Sequence, residues 1–149
     1  MVVRETTAAD WSAWHRMWRA NCAHYHASLS VAEDEELWRR IIDPDNPVSA
    51  LVGAGPGAES TLVGFAHYVL HPHTFSSRMV CYLEDLWVEP STRGTSVGRK
   101  LIDALVTRGR DRGWRRIYWH TEADNAAARL LYDRVAQLTD YVRYDIALT

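Results

Sequence analysis

The chain has 149 residues, 47% of them hydrophobic and 24% charged, with a net charge of −2. That length suits one domain with a sizeable core, and the balance is that of a soluble globular protein. A pI near 6.4 argues against a general nucleic-acid binder, and no apolar run reaches the ~20 residues of a membrane-spanning helix.

The opening residues MVVRETTAADW carry no signal-peptide core. Cys22 and Cys81 stand far apart, with neither a CxxC nor a zinc spacing. The expectation is a single cytoplasmic domain over residues 1–149, with both thiols free in its core.

Residues 2–4 read as a short strand. Thr7 and Asp10 have the spacing of a capping box that opens a helix. Along it Trp11, Trp14, His15 and Trp18 share one face, and the helix continues or breaks near Asn21. His24, Tyr25 and His26 follow, either as a partly buried helix end or as the lining of a ligand pocket. A second helix is predicted over residues 31–42, with acids at its start and arginines at its end as the macrodipole prefers. Pro44 and Pro47 stop it. Its acid run, Glu33 to Glu36, reads as a solvated face, or else as an attractor for a cationic substrate.

Residues 48–52 and 62–70 are strands around a flexible glycine-rich loop at 53–60. A turn at 71–74 leads to a fourth strand from Met79, completing an antiparallel meander. His67, His71 and His73 lie here without a metal-site spacing. A helix then runs to Gly113, a good C-terminal cap, and a strand follows over 114–121. This strand–helix–strand unit is a crossover, so the fourth and fifth strands pair in parallel. Arg108, Arg110, Arg112, Arg115 and Arg116 form a basic cluster, read as a solvated helix end or as a contact for a 3′-phosphate or a partner chain. Residues 125–136 are the last helix, capped by Asp124 or Asn125, and 141–148 alternate as a terminal strand. The predicted architecture is mixed α/β, with four helices and a mixed central sheet of about six to seven strands.

The most informative stretch is MVCYLEDLWVEPSTRGTSVGRKLIDALVTRGRD, residues 79–111. Val80, Tyr82, Leu83, Leu86, Trp87 and Val88 suit a buried strand, and Pro90 stops it. Leu101, Ile102, Leu105 and Val106 recur at helical spacing. Between them, Arg93, Gly94, Thr95, Ser96, Val97, Gly98 and Arg99 sit at a helix N-terminus. Free backbone N–H groups and the helix dipole favour an anion there, and glycines admit it to the main chain. A pyrophosphate fits that chemistry, although neither GxxxxGK[ST] nor GxGxxG is present.

The turn resembles the [R/Q]-x-x-G-x-[G/A] motif of the GCN5-related N-acetyltransferases (GNAT). Arg93 and Gly98 match, Gly94 is an extra glycine, and Ser96 replaces the central glycine. A left-handed backbone at Ser96 costs about 1 kcal/mol; otherwise its hydroxyl is available to a phosphate. NAAARLLY, from Asn125 to Tyr132, matches that family's N-x-x-A-x-x-[L/F]-Y. The likeness spans nearly the whole chain. In CYLEDLWVEP and RIYWHTEADNAAARLLYDRVA it is similar to the yeast histone/polyamine and D-amino-acid N-acetyltransferase subgroup, and more loosely to diamine N-acetyltransferases.

This resemblance implies a GNAT fold, acetyl-CoA as co-substrate, and direct attack by a primary amine without a metal. The acceptor is expected to be a small polyamine or amino acid. A protein or histone lysine is the alternative acceptor, and a non-catalytic acetyl-CoA sensor or an interaction domain is the rival class. Glu84 is the implied base, or else only an amine contact, and Tyr132 the implied acid for the departing thiolate. A backbone N–H of Trp87 or Val88 would polarise the thioester carbonyl if the strand bulges there. Leu86, Trp87 and Val88 would pair with pantetheine amides. The segment from Arg93 to Arg99 would hold the pyrophosphate, and Asn125 and Arg129 would also contact the cofactor, with a helix cap as the other role for Asn125. The implied acceptor contacts are Tyr25, His26, Trp38, Glu84 and Asp85. Glu84 and Asp85 would point to opposite faces of a regular strand, which leaves Asp85 a structural or substrate contact. The expected assembly is a homodimer through residues 141–148, without nucleic-acid or membrane partners.

Overall fold

A computed structural model of the chain describes residues 1–55 and 61–149. Strands β1 (Val2–Glu5), β2 (Val48–Ala54), β3 (Leu62–His73) and β4 (Ser76–Val88) form an antiparallel sheet in chain order, and β5 (Ile117–Tyr118) joins β4 in parallel. Helices α1 (Trp11–His24) and α2 (Val31–Ile42) precede β2. Helix α3 (Val97–Arg112) crosses from β4 to β5, and α4 (Ala126–Val135) follows β5.

The sheet is covered on both faces, which is why β2 and β3 read as nearly continuous apolar runs. On one face Trp14, Met17, Trp18, Trp38 and Ile41 pack on Val52, Phe65 and Trp87. On the other, Leu101, Ile102 and Leu105 of α3 pack on Leu51, Ala66, Tyr68, Cys81 and Leu83. Four tryptophans knit α1 to α2; the rings of Trp14 and Trp38 lie 4.9 Å apart, and those of Trp14 and Trp18 stack at 6.0 Å.

Helix α1 does not break at Asn21. It runs to His24 and closes through Ala27 N–H donating to the Cys22 carbonyl at 2.9 Å, with His26 left-handed at φ 56. The acid run of α2 is not wholly solvated. Asp34 is 0% exposed. It accepts from Trp18 Nε1 at 3.0 Å, bonds His15 Nε2 at 2.8 Å, and pairs with Arg19 Nε at 2.7 Å. A buried carboxylate persists only when paired in this way.

Two expectations for the sheet are corrected. Among the described residues it has five strands rather than six or seven, because residues 141–148 join no ladder. Tyr141, Tyr144 and Leu148 are 89%, 90% and 92% exposed. Alternation gives a segment two faces, but it becomes a sheet strand only when an edge takes it up. Likewise, of the strand expected over 114–121 only Ile117–Tyr118 is regular strand, although Arg115 and Arg116 also bond the β4 backbone at Met79 and Cys81. Most of the loop expected at 53–60 lies outside the described residues.

Candidate active site

The site begins where β4 and β5 part. The β4 ladder with β3 continues to Gly64↔Val88, while its pairing with β5 ends at Tyr82↔Tyr118. Past Tyr82, no strand among the described residues covers the β5 side of β4. Glu89 N–H donates to the Val63 carbonyl at 2.8 Å. By antiparallel alternation Trp87 then faces β3, and Leu86 and Val88 face the open edge. Of the two N–H groups expected to polarise a carbonyl, that of Val88 points to the open edge and that of Trp87 does not.

The strand does bulge, but earlier than expected. Register steps from His67↔Asp85 to Tyr68↔Leu83, which leaves Glu84 as the extra residue. A bulge reverses the in–out parity. Leu83 packs into the α3 face, whereas Asp85, two residues on, reaches His67 on the α1 face at 3.0 Å. Glu84 and Asp85 are thus freed from the opposite-face rule of a regular strand. The Glu84 carboxyl is pushed above its ordinary range, first by partial desolvation and then by the Asp85 charge; His67, Arg143 and His120 pull it the other way.

Several residues around this point were not singled out from the sequence. Tyr82 stacks on Tyr118 at 4.9 Å, its hydroxyl bonds His120 Nδ1 at 3.2 Å, and His71 Nε2 bonds the Tyr118 hydroxyl at 2.9 Å. Two buried polar atoms, Asn21 Oδ1 and Trp87 Nε1, have no hydrogen-bond partner among the described residues. Such orphans in a native core call for a water or a ligand group.

Tyr132 is half-buried with its ring edge-on to Trp119 at 5.3 Å. Burial, and then the nearby Tyr25, raise its phenol pKa, so it stays protonated. Tyr25 is 58% exposed at the end of α1, and His26 beside it is also exposed. Trp38 is 7% exposed within the tryptophan cluster, and it lines an open cavity with Trp11, Glu35 and Arg39. Cys81 is buried, and burial pushes its thiol up to about 12, which removes it as a nucleophile.

The turn ahead of α3 has the features of an anion cradle. Gly94 and Ser96 are left-handed at φ 81 and φ 68. The first bonded N–H of the helix is that of Lys100, which donates to the Ser96 carbonyl at 3.0 Å. The N–H groups of Val97, Gly98 and Arg99 precede it, with no side-chain cap and no acid in the first turn. These donors suit a pyrophosphate. A Cβ on Gly98 would sit 3.5 Å from Leu131 and 3.6 Å from Val88, so α3, β4 and α4 converge at this residue. Val97 is buried beneath the turn, and Thr95 Oγ1 donates to the Thr92 carbonyl. Arg93 lies over Trp87 at 5.3 Å and donates to the Val88 carbonyl at 3.3 Å.

Arg99 pairs with Asp103 at 3.1 Å. Asn125 Oδ1 caps α4 by accepting from Ala128 N–H at 3.2 Å, which leaves its amide nitrogen for a ligand. Arg129 donates to the Ala123 carbonyl at 2.6 Å. Among the described residues, no group of three His, Cys, Asp or Glu is placed to hold a metal.

Comparison with known proteins fits this geometry. The chain is 31% identical over 144 residues to the D-amino-acid N-acetyltransferase HPA3 of Saccharomyces cerevisiae, covering 97% of this chain and 89% of that one. It is 29% identical to the thialysine N-epsilon-acetyltransferase of Sus scrofa, covering 76% of this chain and 69% of that one. The fold superposes on the aminoglycoside N-acetyltransferase AAC(6')-Iy, solved in complex with CoA, with a TM-score of 0.74 at 20% identity, covering 99% of this chain and 100% of that one. The family model described as "Acetyltransferase (GNAT) family" matches residues 11–136, and the chain belongs to that family of N-acetyltransferases.

Proposed function

We propose that this enzyme transfers the acetyl group of acetyl-CoA to the primary amine of a small molecule, an amino acid or a polyamine, by direct attack. The observation that carries this reading is the bulge at Glu84. It sets two carboxylates on β4 just before the open edge at Leu86 and Val88, where Gly98 of the turn and Leu131 of α4 approach. GNAT enzymes use acetyl-CoA, and the residues here fit it: the N–H groups of Val97, Gly98 and Arg99 for the pyrophosphate, and the edge at Leu86 and Val88 for the pantetheine amides.

The bound thioester supplies the acyl carbon. Glu84 takes a proton from the ammonium and passes it to solvent, leaving a neutral nucleophile. A C–N bond forms as the carbonyl becomes an oxyanion, which the N–H of Leu86 or Val88 receives. On collapse the C–S bond breaks, and Tyr132 gives its proton to the thiolate. The proton shed by the new amide nitrogen restores the phenol. The high pKa of Cys81 favours this direct route over an acetyl-cysteine intermediate.

The relatives named for D-amino acids and thialysine support a small amine over a protein lysine. A homodimer through residues 141–148 is part of the same reading. The test is thiol release from acetyl-CoA against polyamines, L- and D-amino acids, aminoglycosides and histone-tail peptides. Release that depends on a small amine is expected. Release with peptides alone would move the acceptor to protein lysine. Thermal stabilisation by CoA without release from any acceptor would favour a sensor.

A further inference from the structure

His67 is a polar residue in the apolar run LVGFAHYVL and is 2% exposed. Its ring makes two hydrogen bonds, one on each nitrogen. Trp14 Nε1 lies 2.9 Å from His67 Nε2, and Asp85 Oδ2 lies 3.0 Å from Nδ1. An indole nitrogen is a donor only, so Nε2 must be the bare, accepting nitrogen. The ring proton therefore sits on Nδ1 and is donated to Asp85. A second proton on Nε2 would set two N–H groups against each other in a core closed to water.

This is the reverse of a histidine that acts as a base, which presents its free nitrogen to the substrate. Here that nitrogen is covered by an indole. The ring faces are also taken, with Phe65 stacked at 4.4 Å and Trp18 at 5.2 Å. Among the described residues, His67 reaches the site through Asp85, next to the bulge residue Glu84.

We propose that Trp14 and His67 are positioning residues that hold Asp85 as a fixed anion, so that Asp85 anchors the incoming ammonium and Glu84 takes its proton. The inference rests on the amine-acetylation reading and gives the two carboxylates separate roles. Asp85 has one oxygen bound by His67 and hence a set direction. Glu84 makes no hydrogen bond or ion pair among the described residues, and it is free to swing between substrate and solvent as a proton carrier must. The titratable and charged groups that face Glu84 are Asp85 on β4, His67 on β3, His120 beyond β5, and Arg143 near the C-terminus. A neutral His67 leaves the Asp85 charge intact; a charged one would cancel it and weaken the anchor.

Imidazole ¹⁵N NMR and kinetics on four proteins test the idea. In the wild type at pH 7, His67 should carry its proton on Nδ1. Trp14→Phe keeps an aromatic ring and removes the N–H. It should relax that tautomer and raise KM for the amine about tenfold, the loss of one charge-assisted contact. Both kcat and CoA affinity should stay nearly unchanged. Asp85→Asn should raise KM as much. Glu84→Gln should lower kcat instead. The last two act on a partly exposed and an exposed side chain, so they decide the division of roles even if Trp14→Phe fails to fold. Asp85→Asn lowering kcat at constant KM, or a folded Trp14→Phe with an unmoved KM, overturns the inference alone. Absence of acceptor-dependent release by the wild type overturns it together with the reading on which it rests.

Discussion

Ser96 holds a left-handed conformation at φ 68, ψ 18, without a side-chain bond to the helix it precedes. A β-carbon there costs about 1 kcal/mol or slightly more, part of which glycine returns through its freer unfolded chain. Ser96→Gly should therefore gain about 0.5 kcal/mol, raising Tm by about 1–2 °C. Melting with and without CoA checks this. A gain in the free protein but a loss with CoA would show that the hydroxyl serves the ligand. Glu84 carries strain of another kind. Its carboxyl is held above the ordinary range by desolvation and by Asp85, so kcat/KM should fall as pH drops through that raised value and the base becomes protonated. Glu84→Gln should be slower by about 10²–10⁴-fold and lack that limb, with the deficit greatest between that raised value and the pKa of the amine. The same shift opposes folding. A carboxyl with a folded-state pKa above its unfolded value costs stability at pH above both, and the cost vanishes below the unfolded value of about 4.3. Glu84→Gln should thus melt higher than the wild type at pH 7 and equally at pH 4. Equal melting at both pH values would show that Glu84 is not strained.

At the scale of elements, β3, β4 and α3 meet most closely at Gly64. A Cβ there would lie 2.7 Å from the Trp87 carbonyl oxygen, 3.1 Å from Val97 and 3.3 Å from Leu101. A backbone oxygen in a ladder has little room to retreat. Gly64→Ala should cost about 1–3 kcal/mol and lower Tm by several degrees. Val97 is the first residue of α3, and on the proposed reading the N-terminus of that helix holds the pyrophosphate, so CoA affinity should weaken as well. Unchanged melting would mean that α3 shifts freely over the sheet. The same junction shows what a sequence can tell. Helix α3 and its cap at Gly113, the Asn125 cap, the meander and the parallel crossover are written in local signals of periodicity, glycine and capping residues. The bulge at Glu84 is not. LEDL contains no glycine or proline, and the extra residue arises from register set by pairing with β3 and by the core on both faces. Asp34 could not be told from Glu33, Glu35 and Glu36 by composition, because its burial depends on where α1 brings Trp18, His15 and Arg19. His67 did leave a trace, as a lone polar residue in an apolar strand. Its role required the distant partners Trp14 and Asp85.

For the whole molecule, the feature left unsatisfied is the C-terminal arm. Val142, Tyr144, Ile146 and Leu148 are 75%, 90%, 87% and 92% exposed. They sit at alternate positions, with Arg143 and Asp145 between them, so an extended arm presents one apolar face. Isolated exposed apolar residues are ordinary, whereas four in register suit the proposed dimer contact. The sheet offers a matching defect, since β5 is its last strand and has only two residues. A patterned arm and an open edge on the same chain are self-complementary, which is the requirement for a two-fold dimer. On this reading, each arm pairs with the β5 edge of the other copy. Sedimentation should give two chains per particle at micromolar concentration. A variant carrying Tyr144→Asp and Ile146→Asp should sediment as a single chain. The melting temperature supplies an independent check. A dimer interface that forms only in the folded state makes Tm rise with protein concentration by mass action, so wild-type Tm should climb over a hundredfold range while the double variant stays flat. A wild type that sediments as one chain with a concentration-independent Tm would show that the arm pairs with no second copy.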